Sequence, residues 1–259
     1  DGNIDPKKIE EAITDKTKVI MPVHLTGRPA RMPEIMSIAK KYSLSVVEDA
    51  AQAVGAKIKG RSVGSWGDAA CFSLHPLKNL HAFGDGGMVT SNHIDLINLL
   101  YKSRNHGLEN REQCDFWAHN CRLDEIHASM LRVQLRELKK VNAKRREVAL
   151  TYNSLLKDFV DVPFEGDDEY CVYQTYVIKC RSRDNLQQFL RQNGVEALVH
   201  YKIPLFDQPA ANYLGNNAKQ FPQTTKHCDS ILSLPLYPSL KIEQQEKVAD
   251  LISKFYKTN

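Results

Sequence analysis

Two short apolar runs, Val19 to Val23 and Leu44 to Val47, constrain this chain more than any other feature, because of what separates them. Between them Ile35, Ile38, Ala39 and Tyr42 recur at helical spacing within Pro33 to Tyr42. Strand, helix and strand over that interval make a β-α-β unit. Two more strand-like runs follow, Ala69 to Leu74 and Gly87 to Thr90, each bounded by glycine-containing turns. The alternation predicts an α/β fold: a mostly parallel sheet with helices on both faces, whose ligands sit beyond the carboxyl ends of the strands. With 259 residues the chain can bury a full core, as one large domain or as a main domain with a smaller one attached.

The second half reads differently. Apolar residues at Leu123, Ile126, Met130 and Val133, then Leu138, Val141, Val148, Tyr152, Leu155 and Phe159, predict one long helix from Arg122 to Phe159, or two helices bent near Asn142. The acidic loop from Glu165 to Glu169 marks a boundary. Beyond it come a strand at Val172 to Cys180, a helix from Asp184 to Asn193 capped by Gly194, a strand at Ala197 to Tyr201 and a closing helix from Ile242 to Tyr256. The expected division is a large domain over residues 1–150, including the start of the long helix, and a smaller α+β domain over residues 151–259.

Composition narrows the function. The net charge of +4, from 35 basic and 31 acidic residues, is too balanced to argue for nucleic acid. No apolar stretch approaches the ~20 residues that span a bilayer. Six cysteines without a C-x-x-C pair, and nothing resembling a signal peptide, point to a reduced, cytoplasmic compartment. His119 and Cys121 flank Asn120, but no histidine or cysteine spacing supports a metal site, so none is expected. The Gly84-Asp85-Gly86-Gly87 sequence lacks the G-x-G-x-x-G spacing of a dinucleotide loop and reads as a tight turn into the next strand.

Three polar residues fall where this fold places a ligand: Asp49 and Gln52 in VVEDAAQAVGA, after the second strand, and Lys78 in FSLHPLKNLHAFGDGG, after the third. Ser73 and His75 stand just before that lysine. Singly, each has a structural explanation: a helix cap, a surface amide, a solvated lysine. Together they suit pyridoxal phosphate. A partly desolvated lysine amine attacks an aldehyde, a carboxylate keeps a pyridine nitrogen protonated, and a hydroxyl such as that of Ser73 partly serves a phosphate.

The stretch from Ile4 to Asn92, with Glu48-Asp49-Ala50-Ala51-Gln52 and His75-Pro76-Leu77-Lys78-Asn79 as its most specific blocks, resembles the DegT/DnrJ/EryC1/StrS sugar aminotransferases. RNHGL, HNCRLDEIHASMLRVQL, VHYKIPLFDQPA and LSLPLYPSL extend the likeness through the chain. The resemblance implies the PLP-dependent transferase fold type I, with residues 1–150 as the remainder of the cofactor-binding domain. It implies that Lys78 bonds the cofactor and shuttles a proton, Asp49 pairs with the pyridine nitrogen, Gln52 contacts the ring or its phenolic oxygen and Ser73 binds the phosphate. Asn120, in the family's Asn-x-Arg position, would reach the phosphate in the neighbouring subunit of a homodimer with shared sites. His75, His106, His200 and Tyr201 match motifs near the cofactor or sugar. The family also contains dehydratases with histidine at the lysine position, and Lys78 speaks against that branch.

The implied reaction is amination of a keto group on a nucleotide-linked deoxysugar, with glutamate or glutamine as donor, in the making of amino sugars for surface polysaccharide, glycan or natural product. A cyclitol or amino-aromatic precursor is an alternative substrate. The resemblance also implies that on the order of a quarter to a third of the usual chain precedes Asp1. That part would carry three strands of the sheet, a phosphate-binding loop, an aromatic residue stacked on the cofactor and part of the sugar site. A shortened homologue that serves only as a dimerisation partner is therefore the competing expectation.

Overall fold

The β-α-β unit forms where the apolar pattern puts it. In the computed structural model, which describes residues 1–258, the chain divides into two units, the first made of Asn3–Asn142 with Glu165–Gln174. It begins with helix α1 (Pro6–Ala12), whose start is fixed by Asp5 accepting from Lys7 N and by proline in the first turn. Strand β1 (Val19–Ile20), helix α2 (Met32–Lys41) and strand β2 (Ser45–Asp49) follow, with Val19 opposite Ser45 and Ile20 opposite Val46 in parallel register. Ile9, Ile20, Met32, Ile35, Ala39 and Val46 bury their side chains together, so α1 and α2 share one core with the sheet.

After the short strands β3 (Lys57–Ile58) and β4 (Arg61–Ser62), β5 (Ala69–Ser73) adds to β2 in parallel, and β6 (Gly87–Ser91) returns antiparallel to β5. The sheet order is β1-β2-β5-β6. Helix α3 (Ile94–Ser103) leads on to α4 (Glu125–Leu156), a single unbroken helix of 32 residues that passes from the first unit into the second. Its Leu131 and Leu138 pack with Leu74, Leu80 and Ala82, which border the loop that carries Lys78.

The acidic boundary proves to be part of the first unit. Arg28 pairs with Glu169 at 3.0 Å and Arg31 with Asp168 at 3.0 Å, so two cations near the end of β1 draw the loop back. Strand β7 (Glu169–Tyr170) then pairs with β3, giving a second sheet β4-β3-β7 that alternation did not reveal because its strands are two residues long.

In the second unit, β8 (Tyr176–Lys179), α5 (Arg183–Gln192), α6 (Pro222–Ser230), β9 (Ile231–Leu234) and α7 (Ile242–Thr258) follow the C-terminal half of α4. β8 and β9 are antiparallel, with Tyr176 opposite Leu234, and Tyr152 of α4 stacks on Tyr176 at 5.0 Å between ring centroids. Two sequence expectations change here. The run from Val172 is strand only from Tyr176, because Tyr173 takes a φ of +44° that breaks extended backbone. Ala197 to Tyr201 is not a strand but a single bridge, Leu198 with Ser233; at the next turn of the chain the His200 ring, not the backbone, bonds Ser233 Oγ at 2.8 Å.

Gly27 shows how tightly the first unit closes. Its φ is +96°, its carbonyl accepts from Val172 N at 2.9 Å, and a Cβ there would lie 2.8 Å from Tyr173 N and Gln174 N. A Gly27→Ala variant is expected to lose about 2 kcal/mol or more, since backbone strain and a backbone clash add. The urea midpoint measures this.

Candidate active site

The site grows from the alternation of β2. Val46 and Glu48 face the interior and Val47 and Asp49 the opposite side, in the pattern exposed, buried, half-buried, buried, half-buried from Ser45. Two adjacent carboxylates therefore receive opposite environments. Glu48 Oε1 accepts from Trp66 N (2.7 Å) and Gly67 N (2.8 Å), while Oε2 accepts from Gly64 N (2.8 Å) and His24 Nε2 (3.0 Å). His24, equally buried, takes Ala30 N on its Nδ1 at 2.9 Å, which fixes its proton on the nitrogen that faces Glu48. Burial alone would raise the Glu48 carboxyl, but the hydrogen bonds from His24, Gly67 and Gly64 hold it below the usual carboxylate range.

Asp49 ends β2 half-buried. Its Oδ1 accepts from Ala51 N at 3.0 Å, and its backbone bonds Pro22 and His24 of the neighbouring strand end. Gln52 follows in the same turn and its Oε1 accepts from Thr26 N at 2.6 Å, which ties the turns after β1 and β2 together. Ser73 ends β5, opposite Gly87, and its hydroxyl accepts from His75 N at 3.4 Å.

Lys78 lies in the loop of the β5–β6 hairpin, which closes where Leu74 N donates to Gly86 O. The loop is held from several sides. Lys78 N donates to His75 O, His75 Nδ1 accepts from Leu77 N, and the Lys78 carbonyl accepts from His81 Nδ1 at 3.0 Å. The side chain differs from its backbone in this respect: among the described residues Lys78 Nζ takes no hydrogen bond and no ion pair, although the residue is half-buried. Burial pushes its pKa down, and the Asp49 carboxylate opposes that shift. A poorly solvated amine beside a strand-end carboxylate can act as a nucleophile or a base at neutral pH.

The structure thus brings Asp49, Gln52, Ser73, His75 and Lys78 to the same end of β2 and β5. His106 and Asn120 lie in the same unit on a separate exposed segment, where Asn105 bridges Asn120, and Asn120 Oδ1 accepts from Arg122 Nε at 2.9 Å. His200 and Tyr201 belong to the second unit. Among the described residues no group of three or more His, Cys, Asp or Glu side chains could hold a metal ion, and no helix is long and apolar enough to cross a membrane.

Residues 1–253 match the DegT/DnrJ/EryC1/StrS aminotransferase family. The chain belongs to that family. Among its relatives in the family, a "pleiotropic regulatory protein" of Geobacillus stearothermophilus is 43% identical, covering 98% of this chain and 70% of its own. The dTDP-3-amino-3,6-dideoxy-alpha-D-galactopyranose transaminase of Aneurinibacillus thermoaerophilus is 41% identical over 98% of this chain and 69% of its own. Among solved structures, S. venezuelae DesV in complex with a ketimine intermediate superimposes with a TM-score of 0.94 at 34% identity, covering 98% of this chain and 69% of that one. The fold is thus that of the family's aminotransferases, fold type I, and the chain spans about 70% of the length of these relatives.

Sequence reasoning missed Glu48, His24, Asn79 and Asn142 as members of the site's framework. Glu48 carried a signal: strand alternation puts it on the same face as Val46, and an acid on a buried face needs donors. The two asparagines carried none, because their partners are remote in sequence.

Proposed function

We propose that this chain is a pyridoxal-phosphate-dependent aminotransferase that places an amino group on a keto carbon of a nucleotide-linked sugar, with glutamate as the amino donor. The observation that carries the reading is Lys78, half-buried, without a hydrogen-bond partner for Nζ, and close enough to Asp49 to feel its charge. The donor set fits the cofactor, since it offers an amine for the aldehyde, a carboxylate for the ring nitrogen and a hydroxyl for the phosphate. When bound, pyridoxal phosphate supplies an electron-poor ring that stabilises negative charge on the carbon bearing the transferred nitrogen.

The chain's own residues do the rest. Desolvation keeps a larger neutral fraction of Lys78, so it can attack a carbonyl carbon and later carry a proton to and from the reacting carbon. Asp49 holds the proton on the ring nitrogen. Gln52, with Oε1 committed to Thr26 N, keeps its amide N–H groups for the phenolic oxygen. Ser73 donates to the phosphate. Asn120 is exposed and serves the phosphate of a second subunit in a homodimer with shared sites. His75 and His106 of the first unit contribute to the sugar side, and for His200 and Tyr201 the support is their place in the family's motif. The part within residues 1–150, joined by the Glu165–Gln174 segment, forms the cofactor-binding part and the remainder the smaller domain, and the cytoplasm supplies both substrates. The relative from Aneurinibacillus thermoaerophilus, named for a dTDP-linked amino sugar, supports the substrate class.

The test is to add pyridoxal phosphate, look for a visible absorption band, and then supply glutamate followed by a panel of dTDP- and UDP-linked keto sugars. Glutamate should discharge the band with release of 2-oxoglutarate, and one of the keto sugars should restore it. Absence of any spectral change on adding the cofactor would overturn the reading. An Asp49→Asn variant is expected to lose about 10²-fold or more in kcat at nearly unchanged stability. Asparagine keeps the acceptor for Ala51 N but cannot hold the ring proton. A wild-type rate in this variant would remove Asp49 from the mechanism.

A further inference from the structure

We propose that Asn79 and Asn142 form a buried amide clamp that positions Lys78, so that a residue of the long helix α4 which is not part of the ligand-facing group sets the placement of the reacting amine. The proposal rests on the reading of Lys78 as that amine. Asn79 is its immediate neighbour and only 6% exposed, and Asn142 is 2% exposed. Asn79 Nδ2 donates to Asn142 Oδ1 at 2.9 Å and to the Val172 carbonyl at 3.0 Å. Asn142 Nδ2 donates to the Val54 carbonyl at 3.0 Å. Carbonyl oxygens only accept, so Val54 and Val172 fix the orientation of both amides and leave Asn142 Oδ1 facing Asn79.

The clamp joins the two pieces of backbone that carry the ligand-facing group to a third, the Val172 segment. Val54 belongs to the turn that begins with Asp49 and Gln52. Asn79 belongs to the Lys78 loop. Val172 belongs to the segment whose backbone also bonds Gly27, while Gln174 Nε2 donates to the Leu77 carbonyl at 3.2 Å. Gly55 makes room for it: a Cβ at that position would lie 2.7 Å from Asn142 Nδ2. Asparagine is a poor residue for a helix interior, and buried amides are costly unless paired. Held by these three bonds, with Asn79 Oδ1 buried and without a partner among the described residues, they fix the backbone on the C-terminal side of Lys78 while the His75 turn fixes the other side, so the point from which Nζ reaches is set by buried bonds.

The experiment is pH-dependent competitive acetylation of Lys78 in the cofactor-free protein, read by peptide mass spectrometry, alongside a pH titration of the visible band in the cofactor-loaded protein. In Asn79→Leu and in Asn142→Leu the half-labelling pH should rise by about one unit, leaving about tenfold less neutral amine at neutral pH. The double variant should move no further than either single one, because both break one unit. Ile35→Val, a change in the core shared by α1 and α2, should lower the urea midpoint without moving the labelling of Lys78. Unchanged labelling and an unchanged band titration in both asparagine variants would reduce the pair to a structural stitch and overturn the proposal.

Should the asparagine variants fail to fold, Gly55→Ala, strained by its φ of +87° and with its Cβ against the Asn142 amide, should shift the labelling in the same direction by a smaller amount; no shift there overturns the proposal as well. Failure of the wild type to take pyridoxal phosphate onto Lys78 would sink the functional reading alone, since the labelling is read without cofactor.

Discussion

Lys78→Ala is expected to lower kcat by at least about 10³-fold, because general acid–base catalysis by a positioned group is worth ~10²–10⁴ and this variant also loses the covalent attachment. The protein should nonetheless fold. Among the described residues the Lys78 side chain makes no hydrogen bond or ion pair, so no partner is orphaned, and removing a partly desolvated ammonium relieves a cost. A thermal midpoint equal to or above that of the wild type is therefore predicted. Added methylamine, small enough to enter the space left by the side chain, should restore part of the rate by carrying the proton in its place. A variant that retains more than about a tenth of the wild-type rate would show that another group does the work.

Glu48→Gln should have the largest effect on stability. The carboxylate uses both oxygens twice, against four donors, three of them backbone N–H groups that cannot move away. Glutamine must turn an NH₂ toward either the Trp66 and Gly67 pair or the Gly64 and His24 pair, and donors then face donors. Breaking a buried charged network of this kind costs about 3–5 kcal/mol, or ~6–20 °C in the melting midpoint for a chain of this size.

The pH dependence follows from the direction of the Glu48 shift. Its folded carboxyl titrates below its ordinary value, so the folded state binds fewer protons near pH 4 than the unfolded chain. The stabilisation is present above the unfolded pKa of about 4.3 and is lost as pH falls through the lower, folded value. The wild type should lose stability across that interval, and Glu48→Gln, already weaker at pH 7, should show a flatter profile there. Equal slopes for the two proteins in urea titrations between pH 3 and pH 6 would contradict this account.

Much of the site was legible from local pattern. Asp49, Gln52, Ser73 and Lys78 each follow the end of an apolar run, and in an α/β chain strand ends converge, so the spacing alone placed them together. The β-α-β unit and the long helix were legible for the same reason, since the periods of strand and helix are written in consecutive residues. Where reading failed, the deciding contact was distant or the backbone took an uncommon turn. Tyr173 with positive φ cut the predicted strand at Val172, and the Ala197–Tyr201 run pairs with β9 only through Leu198 and Ser233, the Ile231 carbonyl being taken by the Arg183 guanidinium. β9 itself is buried at every position, so it shows no alternation to detect.

Sequence by itself determined the chemistry available to this protein: which side chains stand at the strand ends, and that one of them is a lysine and not a histidine. Tertiary structure decided the states in which those side chains are held. It buried Glu48 and left Asp49 half-exposed one residue later, returned the Glu165–Gln174 segment to the first unit through Arg28 and Arg31, and closed Asn79 onto Asn142 and Val172, separations of 63 and 93 residues. Periodicity reports which face of an element is apolar, but a buried hydrogen bond depends on which remote donor meets which acceptor, and only the folded chain makes that pairing.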